Sequence, residues 1–189
     1  MTTIRNARPT DAPEIATLIM EAMNPDCCKW FYGPDYTAND FHRLLTQLAG
    51  RTDTQYSYLN TLVAEEDGNL AGVLVSYDGA LLHELRRPFL ECLLRDFNRD
   101  FSGIDDETQA GELYLDSLCV KSQFRHRGIA SLLLKAGIEK TRQLNLPQVG
   151  LLVDYCNPKA EKLYRNLGFE LANETTWGGH KMKHLTRKP

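Results

Sequence analysis

The sequence lacks the features that define several classes of protein. It contains no run of about 20 apolar residues, the length that a membrane-spanning helix needs. Its N-terminus has no apolar core followed by a small-residue cleavage site. No CxxC pair occurs and the count of 5 cysteines is odd, a pattern typical of reduced thiols rather than of a disulfide framework. We therefore expect a cytoplasmic protein without a membrane partner.

An excess of positive charge and the common nucleotide-binding motifs are also missing. Lys and Arg together number 22 against 25 Asp and Glu, a net charge of −3, whereas nucleic-acid-binding proteins are usually basic. Neither GxxxxGK followed by Ser or Thr nor GxGxxG occurs, so neither a P-loop nor a dinucleotide-binding fold is predicted. His180 and His184 have no evident third partner, so we assign no metal ion.

The composition is that of an ordinary globular protein. Among 189 residues, 42% are hydrophobic and 25% are charged, and no Pro- or Gly-rich linker divides them, so we expect one domain over residues 1–189. The predicted order is a strand, helices, a hairpin, a helix, a strand, a helix, a strand, a helix and two strands. Helices that interleave with strands predict a mixed α/β or α+β fold.

The clearest local signal is a β-hairpin. Residues 62–64 and 70–77 are predicted strands, and Gly68 in the turn between them is free to adopt positive φ. Residues 25–60 are less regular, and an aromatic turn is predicted from Trp30 to Pro34. The other main predictions are strands at 113–120 and 149–153, and helices at 39–49 and around 87–97.

A basic loop links an apolar strand to a helix within residues 118–131. The first turn of a helix has unpaired N–H groups and a partial positive charge, which together bind phosphate. Gly128 allows a ligand to approach the backbone closely. Arg125, His126 and Arg127 add charge and donors suited to a pyrophosphate. The alternative is a solvated basic loop before an ordinary helix.

A second patterned segment covers residues 157–169. Asn157 is a predicted N-cap, Pro158 a first helical residue and Gly168 a left-handed residue at the helix end. Tyr164 shares the apolar face of this helix, as a core aromatic residue does. Its hydroxyl can alternatively face the phosphate-binding loop and donate a proton.

These segments together resemble the GNAT family of N-acetyltransferases. Arg125-x-x-Gly128-x-Ala130 is similar to the family's R/Q-x-x-G-x-G/A motif, and residues 157–169 are similar to its later N-x-x-A-x-x-x-Y-x-x-x-G-F pattern. Residues 4–11 look like its N-terminal strand and turn, and residues 63–72 look like its hairpin. The resemblance covers most of the chain apart from about 24–60 and 78–110.

The resemblance implies a mixed, mostly antiparallel sheet of about six to seven strands flanked by helices. Two parallel central strands, residues 113–120 and 149–153 here, would splay into a V-shaped opening that binds the co-substrate acetyl-CoA. The cofactor-binding residues that the resemblance implies are Leu118, Cys119, Val120, Arg125, His126, Arg127, Gly128, Ile129, Ala130, Ser131, Asn157 and Lys159.

The resemblance also implies roles for these residues. Main-chain groups of residues 118–120 would pair with the pantetheine arm, and one of their N–H groups would polarise the thioester carbonyl as in an oxyanion hole. N–H groups of residues 125–131 would hold the pyrophosphate, Asn157 would reach the pantetheine, and Tyr164 would protonate the leaving thiolate.

Two positions depart from the family's pattern. Ala130 replaces the more frequent second glycine, which the family tolerates. Leu152 stands where related N-terminal protein acetyltransferases often have a glutamate, which makes a substrate of the ribosomal-protein type less expected.

An alkylamine acceptor has a pKa of about 10.4 and arrives protonated, so a group near the opening must take a proton. Asp116 is our candidate base, although a surface or capping carboxylate is the alternative, and Asp154 and Tyr155 lie where the next strand ends. Simple alternation places Asp116 and Glu112 on one face and Cys119 on the other, unless a bulge intervenes. We expect direct transfer to a primary amine in a ternary complex, with Cys119 as an acyl-carrying nucleophile the alternative.

The acceptor site is expected to draw on the segments that the resemblance does not cover. The aromatic residues at 30–36 are a candidate apolar wall, and residues 78–110 are a candidate lid. The acidic residues at 105–107 would attract a cationic amine, with a solvated acidic loop as the alternative. The residues concerned are Trp30, Phe31, Tyr32, Tyr36, Asp105, Asp106 and Glu107.

Two rival functions use the same residues. One is a non-catalytic acyl-CoA sensor or regulatory module, and the other is a nucleic-acid or interaction protein that binds through Arg125 and Arg127. The net charge of −3 disfavours a nucleic-acid partner. The expected partners are therefore acetyl-CoA and an unidentified amine, and family analogy suggests a homodimer.

Overall fold

A single seven-stranded sheet organises the chain in the computed structural model, which describes residues 1–189. The strands lie in the order β1-β2-β3-β4-β5-β7-β6, and every neighbouring pair is antiparallel except β4 and β5. Their bounds are β1 Thr2–Asn6, β2 Thr61–Glu66, β3 Asn69–Asp78, β4 Glu112–Val120, β5 Gln148–Asp154, β6 Glu170–Trp177 and β7 His180–Arg187.

Helices cover both faces of this sheet. They are α1 Ala12–Met23, α2 Pro25–Tyr32, α3 Ala38–Ala49, α4 Leu82–Phe97, α5 Ile129–Gln143 and α6 Pro158–Asn166. Helices α1 to α4 share one apolar core with β3, and α5 packs over the opposite face against β4 and β5. None of the helices combines the length and the apolar character that crossing a membrane requires. The predicted mixed fold and its order of elements are confirmed.

The parallel pair is short. Only Glu112 to Tyr114 of β4 pair with β5, opposite Gln148 to Gly150. Beyond this point the strands separate, so residues 115–120 of β4 have no strand partner on that side. The predicted V-shaped opening between the two parallel strands is confirmed.

A β-bulge lies in β4 at the start of this separation. Val75 of β3 pairs with Ser117 and Ser76 pairs with Leu115, so Asp116 is an extra residue without a partner. A bulge bends its strand and interrupts the alternation of side chains.

The bulge decides where Cys119 points. Simple alternation would put this cysteine on the face opposite Asp116, but Cys119 lies in the core formed by α1 to α4, and its Sγ lies 3.5 Å from Glu21 Oε2 on α1. Asp116 contacts Tyr77, whose neighbour Val75 belongs to the same core. The two side chains therefore share a face because the extra residue shifts the alternation by one.

The aromatic turn predicted from Trp30 to Pro34 is wrong, because residues 25–32 form helix α2. Asn24 Oδ1 accepts hydrogen bonds from the backbone N–H groups of Asp26 and Cys27, both at 3.0 Å, and Pro25 occupies the first helical position. These are strong signals for a helix start. The helix ends at Gly33, which has a φ of +76°.

The predicted hairpin turn is confirmed, since Gly68 has a φ of +77°.

Candidate active site

The separation of β4 and β5 opens a cleft of about 940 Å³. It runs from the N-terminal end of α5 to the acidic loop around Glu107. The predicted site residues that line it are Asp116, Leu118, Cys119, Val120, Arg125, Ala130, Asn157 and Tyr164. The predicted residues that lie outside the cleft lining are His126, Arg127, Gly128, Ile129, Ser131 and Lys159.

The loop before α5 presents a run of free backbone donors. Arg125 N–H donates to Ser122 O at 3.3 Å, and Leu132 N–H donates to Gly128 O at 3.1 Å. Between them, the backbone N–H groups of residues 126–131 donate no hydrogen bond within the protein. Gly128 makes this conformation accessible, since its φ is +79° and α5 begins there without a side-chain cap. Such a run at a helix N-terminus fits a phosphate group.

The arginine side chains of this loop are held by the protein itself. Arg125 Nε donates to Val120 O at 2.9 Å, which ties the loop to the end of β4. Arg127 donates to Glu66 Oε1 and Gln123 O, both at 3.1 Å, and its guanidinium therefore lies near β2. The Ile129 side chain is buried in the core. The groups of this loop that remain available to bind an anion are therefore mainly its backbone N–H groups.

Helix α6 places Tyr164 on the cleft. Burial raises the pKa of Tyr164 to about 12, so the phenol stays protonated at neutral pH. Its ring packs edge-on against Phe169 at 6.1 Å, and its hydroxyl makes no hydrogen bond within the protein. Asn157 Oδ1 caps the helix by accepting from Ala160 N–H at 3.2 Å, and Lys159 is exposed. Tyr164 is therefore a proton donor free to face a ligand.

Asp116 lies on the same cleft and is surrounded by donors. Ser117 Oγ donates to it at 2.7 Å, Gln55 Nε2 at 3.2 Å and Tyr77 OH lies 3.3 Å away. Burial raises the pKa of this carboxyl above its ordinary value, which moves it toward the range of a useful base. These contacts identify Asp116 as part of an organised polar site rather than as a surface carboxylate.

Gln55 supplies an unused acceptor next to this carboxylate. The side chain is 2% exposed and lines the cleft, yet its Oε1 accepts no hydrogen bond. Its orientation is fixed because only the Nε2 group is able to donate to Asp116. A buried acceptor without a donor is costly, so this oxygen is a candidate contact for an N–H group of a ligand.

Comparison with known proteins assigns the chain to a family. The protein-family model described as "Acetyltransferase (GNAT) family" matches residues 20–169. The chain belongs to the GNAT acetyltransferase family. This membership supports acyl transfer as the activity of the GNAT protein described here.

Individual relatives agree with the assignment. The chain is 32% identical over 107 residues to "Acetyltransferase Atu2258" of Agrobacterium fabrum, a match covering 56% of this chain and 77% of the relative. It is 38% identical over 72 residues to mycothiol acetyltransferase of Thermobifida fusca, a match covering 38% of this chain but only 22% of the relative. A crystal structure of an acetyltransferase superposes with a TM-score of 0.80 at 29% identity, covering 98% of both chains.

The sequence did not indicate how deeply Glu107 lies in this GNAT site. The residue is 7% exposed, although its acidic neighbours suggested a solvated loop as one alternative. Glu107 Oε2 accepts from Arg86 Nη1 at 3.0 Å and from Trp177 Nε1 at 3.1 Å, while its Oε1 lies 3.1 Å from Tyr77 OH. Burial and the charge of Asp116 raise the pKa of Glu107 to about 7. None of its three contacts is near it in sequence.

The predicted aromatic wall is only partly assembled at the GNAT cleft. Trp30 and Phe31 line it, and Trp177 packs edge-on against Trp30 at 6.0 Å. Tyr32 and Tyr36 do not line it, because they pack instead on Phe41 and Phe97. The segment predicted as a lid contributes Arg86, Phe89, Ile104 and Glu107 to the cleft.

Proposed function

We propose that the protein transfers the acetyl group of acetyl-CoA to a primary amine of a small molecule or peptide, by direct attack in a ternary complex. One observation carries this proposal. A single cleft runs from Arg125 and Ala130, in the segment that carries the free backbone donors, to the acidic site at Asp116, along the unpaired edge of β4.

The donor end of the cleft has groups that fit coenzyme A. The backbone N–H groups of residues 126–131 would hold the pyrophosphate, and the free edge of β4 at residues 118–120 would pair with the amides of the pantetheine arm. Asn157 lines the same cleft, and Lys159 adds positive charge beside it. Acetyl-CoA supplies an activated thioester when it is bound.

The acceptor end of the cleft has groups that fit an ammonium ion. Asp116 would attract the cation and take one of its protons, and Gln55 Oε1 would accept an N–H hydrogen bond from the same nitrogen. Proton removal is required because an alkylammonium of pKa about 10.4 has no lone pair with which to attack. On the coenzyme A side of the reacting thioester, Tyr164 would donate its proton to the departing thiolate.

The surroundings of Cys119 support direct transfer over an acyl-cysteine route. Burial raises the pKa of the Cys119 thiol to about 11, and the carboxylate of Glu21 lies 3.5 Å from its sulfur. Both effects disfavour the thiolate, which is the nucleophilic form.

The donor site is tested by isothermal titration of acetyl-CoA into the wild type and two variants of Gly128. Gly128→Asp adds a carboxylate among the free N–H groups, whereas Gly128→Asn adds a neutral side chain of the same size that also tolerates positive φ. We expect the Asp variant to bind at least tenfold more weakly than the Asn variant. Equal affinities, or no binding to wild type, would contradict the assigned pyrophosphate loop. A screen of primary amines with a thiol-release assay then tests the acceptor class.

A further inference from the structure

Three side chains lie in a row within hydrogen-bonding distance behind the acceptor end of the cleft. Tyr77 OH lies 3.3 Å from Asp116 Oδ2 and 3.1 Å from Glu107 Oε1. Tyr77 is held on β3 and Asp116 on β4, while Glu107 is anchored by Arg86 and Trp177. All three positions are therefore fixed by the fold.

Counting hydrogens shows that this chain needs one additional proton. A phenol has a single hydrogen, so Tyr77 is able to donate to only one of the two carboxylates. The other oxygen–oxygen contact is a hydrogen bond only if that carboxyl is itself protonated and donates to the phenol oxygen. The chain is fully hydrogen-bonded when Asp116 and Glu107 share one proton.

We propose that Glu107 is the proton store of the acetyl transfer, receiving through Tyr77 the proton that Asp116 takes from the acceptor amine. This inference rests on the proposed function. Both carboxyls are ionised before the transfer, and Asp116 takes a proton from the ammonium ion. Protonated Asp116 then gives its hydrogen to the oxygen of Tyr77, and Tyr77 gives its own hydrogen to Glu107. The O–H bond of Asp116 and the first O–H bond of Tyr77 break, a new O–H bond forms on Tyr77 and another on Glu107, and the net charge of the chain is unchanged.

The surroundings of Glu107 suit it to hold a proton briefly. Burial and the charge of Asp116 raise its pKa, while Arg86 on α4 and the indole N–H of Trp177 on β6 favour its ionised form. Tyr77 and Tyr114 are the titratable groups that face this site from β3 and β4. The opposing effects leave the pKa near 7, so Glu107 is able both to accept a proton and to release it.

The surroundings of Asp116 favour its return to the ionised form. Ser117 and Gln55 donate to it, and Tyr77 donates to it once the proton has moved to Glu107. Tyr56 and the Cys27 thiol are the other titratable groups near it. Asp116 is thus restored as a base while the proton stays on Glu107, whose Oε1 lies 3.1 Å from Tyr77 OH.

The shared proton is tested without any substrate. Carboxyl groups are labelled with carbon-13 and titrated by NMR, with Asp116→Asn and Glu107→Gln used to assign the two signals. We expect the wild-type pair to bind one proton at pH 6 and to lose it near pH 7, and Tyr77→Phe to separate the two titrations. Ordinary acidic titration of both carboxyls would overturn the inference.

The relay itself is tested by the pH dependence of kcat with saturating acetyl-CoA and amine. Glu107→Gln and Tyr77→Phe should each lower kcat about tenfold to a hundredfold and abolish the rise in kcat near pH 7. The double variant should be no slower than the slower single variant, because the two residues act in series. Acetyl-CoA affinity should be unchanged in all three variants.

The matched control is Asp106→Asn. Asp106 was expected at the acceptor site, but the structure places it outside the lining of the cleft. It accepts a hydrogen bond from Arg86 Nη2 at 2.6 Å and makes no contact with Tyr77. This variant should retain the wild-type pH profile. A Glu107→Gln enzyme with the wild-type profile, or single effects that multiply in the double variant, would overturn the relay. A wild type that binds the shared proton but acetylates no amine would instead overturn the proposed function.

Discussion

The buried pair Glu112 and His184 offers a quantitative test of how β4 is held at the point where the strands part. His184 Nε2 lies 2.9 Å from Glu112 Oε2, and Thr108 Oγ1 donates to the other carboxylate oxygen at 2.6 Å. Glu112 is fully buried. Gly150 makes room for the pair, because a Cβ there would lie 2.2 Å from Glu112 Oε2. The pair therefore joins β4 to β7 across β5.

His184→Leu keeps the bulk of the side chain but leaves Glu112 Oε2 without a partner. Leaving a buried carboxylate without its partner costs about 3–5 kcal/mol, and we expect a loss of unfolding free energy in that range. His184→Gln is the matched control, because its amide is able to donate to the carboxylate, and it should cost only about 1 kcal/mol. Replacing both residues, as in Glu112→Leu with His184→Leu, should recover most of the loss.

Equilibrium unfolding in urea measures these differences, with the denaturant dependence compared between variants to confirm that the unfolding transition is unchanged. A His184→Leu protein within 1 kcal/mol of wild type would refute the reasoning. So would a double variant that is as unstable as the single variant.

Three further predictions concern the site and the core. Tyr164→Phe should lower kcat by about tenfold or more while leaving the calorimetric affinity for acetyl-CoA unchanged, because the phenol is proposed to act only on the departing thiolate; a variant with wild-type kcat would exclude that role. Gln55→Leu should raise KM for the amine more than it lowers kcat, because the acceptor oxygen is lost; a KM equal to that of wild type would contradict the assigned contact. Burial lowers the pKa of Lys140 to about 8, so the unfolded chain binds more protons than the folded one between pH 8 and 10.5, and wild-type stability should rise with pH across that window by up to about 3 kcal/mol. Lys140→Met should lose this rise, which urea unfolding at several pH values will measure.

The parts of the fold that the sequence predicted correctly depend on local chemistry. Gly68 in its turn and Gly128 before α5 both need positive φ, and each stands beside polar residues that mark the turn. The separation of the parallel strands was predicted through the family resemblance, because the motif of residues 125–130 follows one of those strands. By contrast, helix α2 was missed although Asn24 and Pro25 are ordinary start signals, since the aromatic residues after them suggested a turn.

The parts that the sequence did not predict depend on pairing between distant segments. The bulge at Asp116 exists only in the register between β3 and β4, so alternation along β4 alone placed Cys119 on the wrong face unless a bulge was assumed. The position of Glu107 depends on Arg86, Tyr77 and Trp177, which are 21, 30 and 70 residues away along the chain. No local pattern reports such contacts.

Because of the bulge, the proposed base can be gained or lost during evolution without a change in the pairing of the strands. Ser76 pairs with Leu115, and Val75 pairs with Ser117. Removing Asp116 would therefore leave a regular ladder in which all the remaining residues of β4 keep their partners and their faces. The carboxylate proposed as the base therefore stands at an insertion that strand pairing does not need. A one-residue insertion or deletion is enough to gain or lose it, while the unpaired edge of β4, where we propose that acetyl-CoA binds, keeps its register.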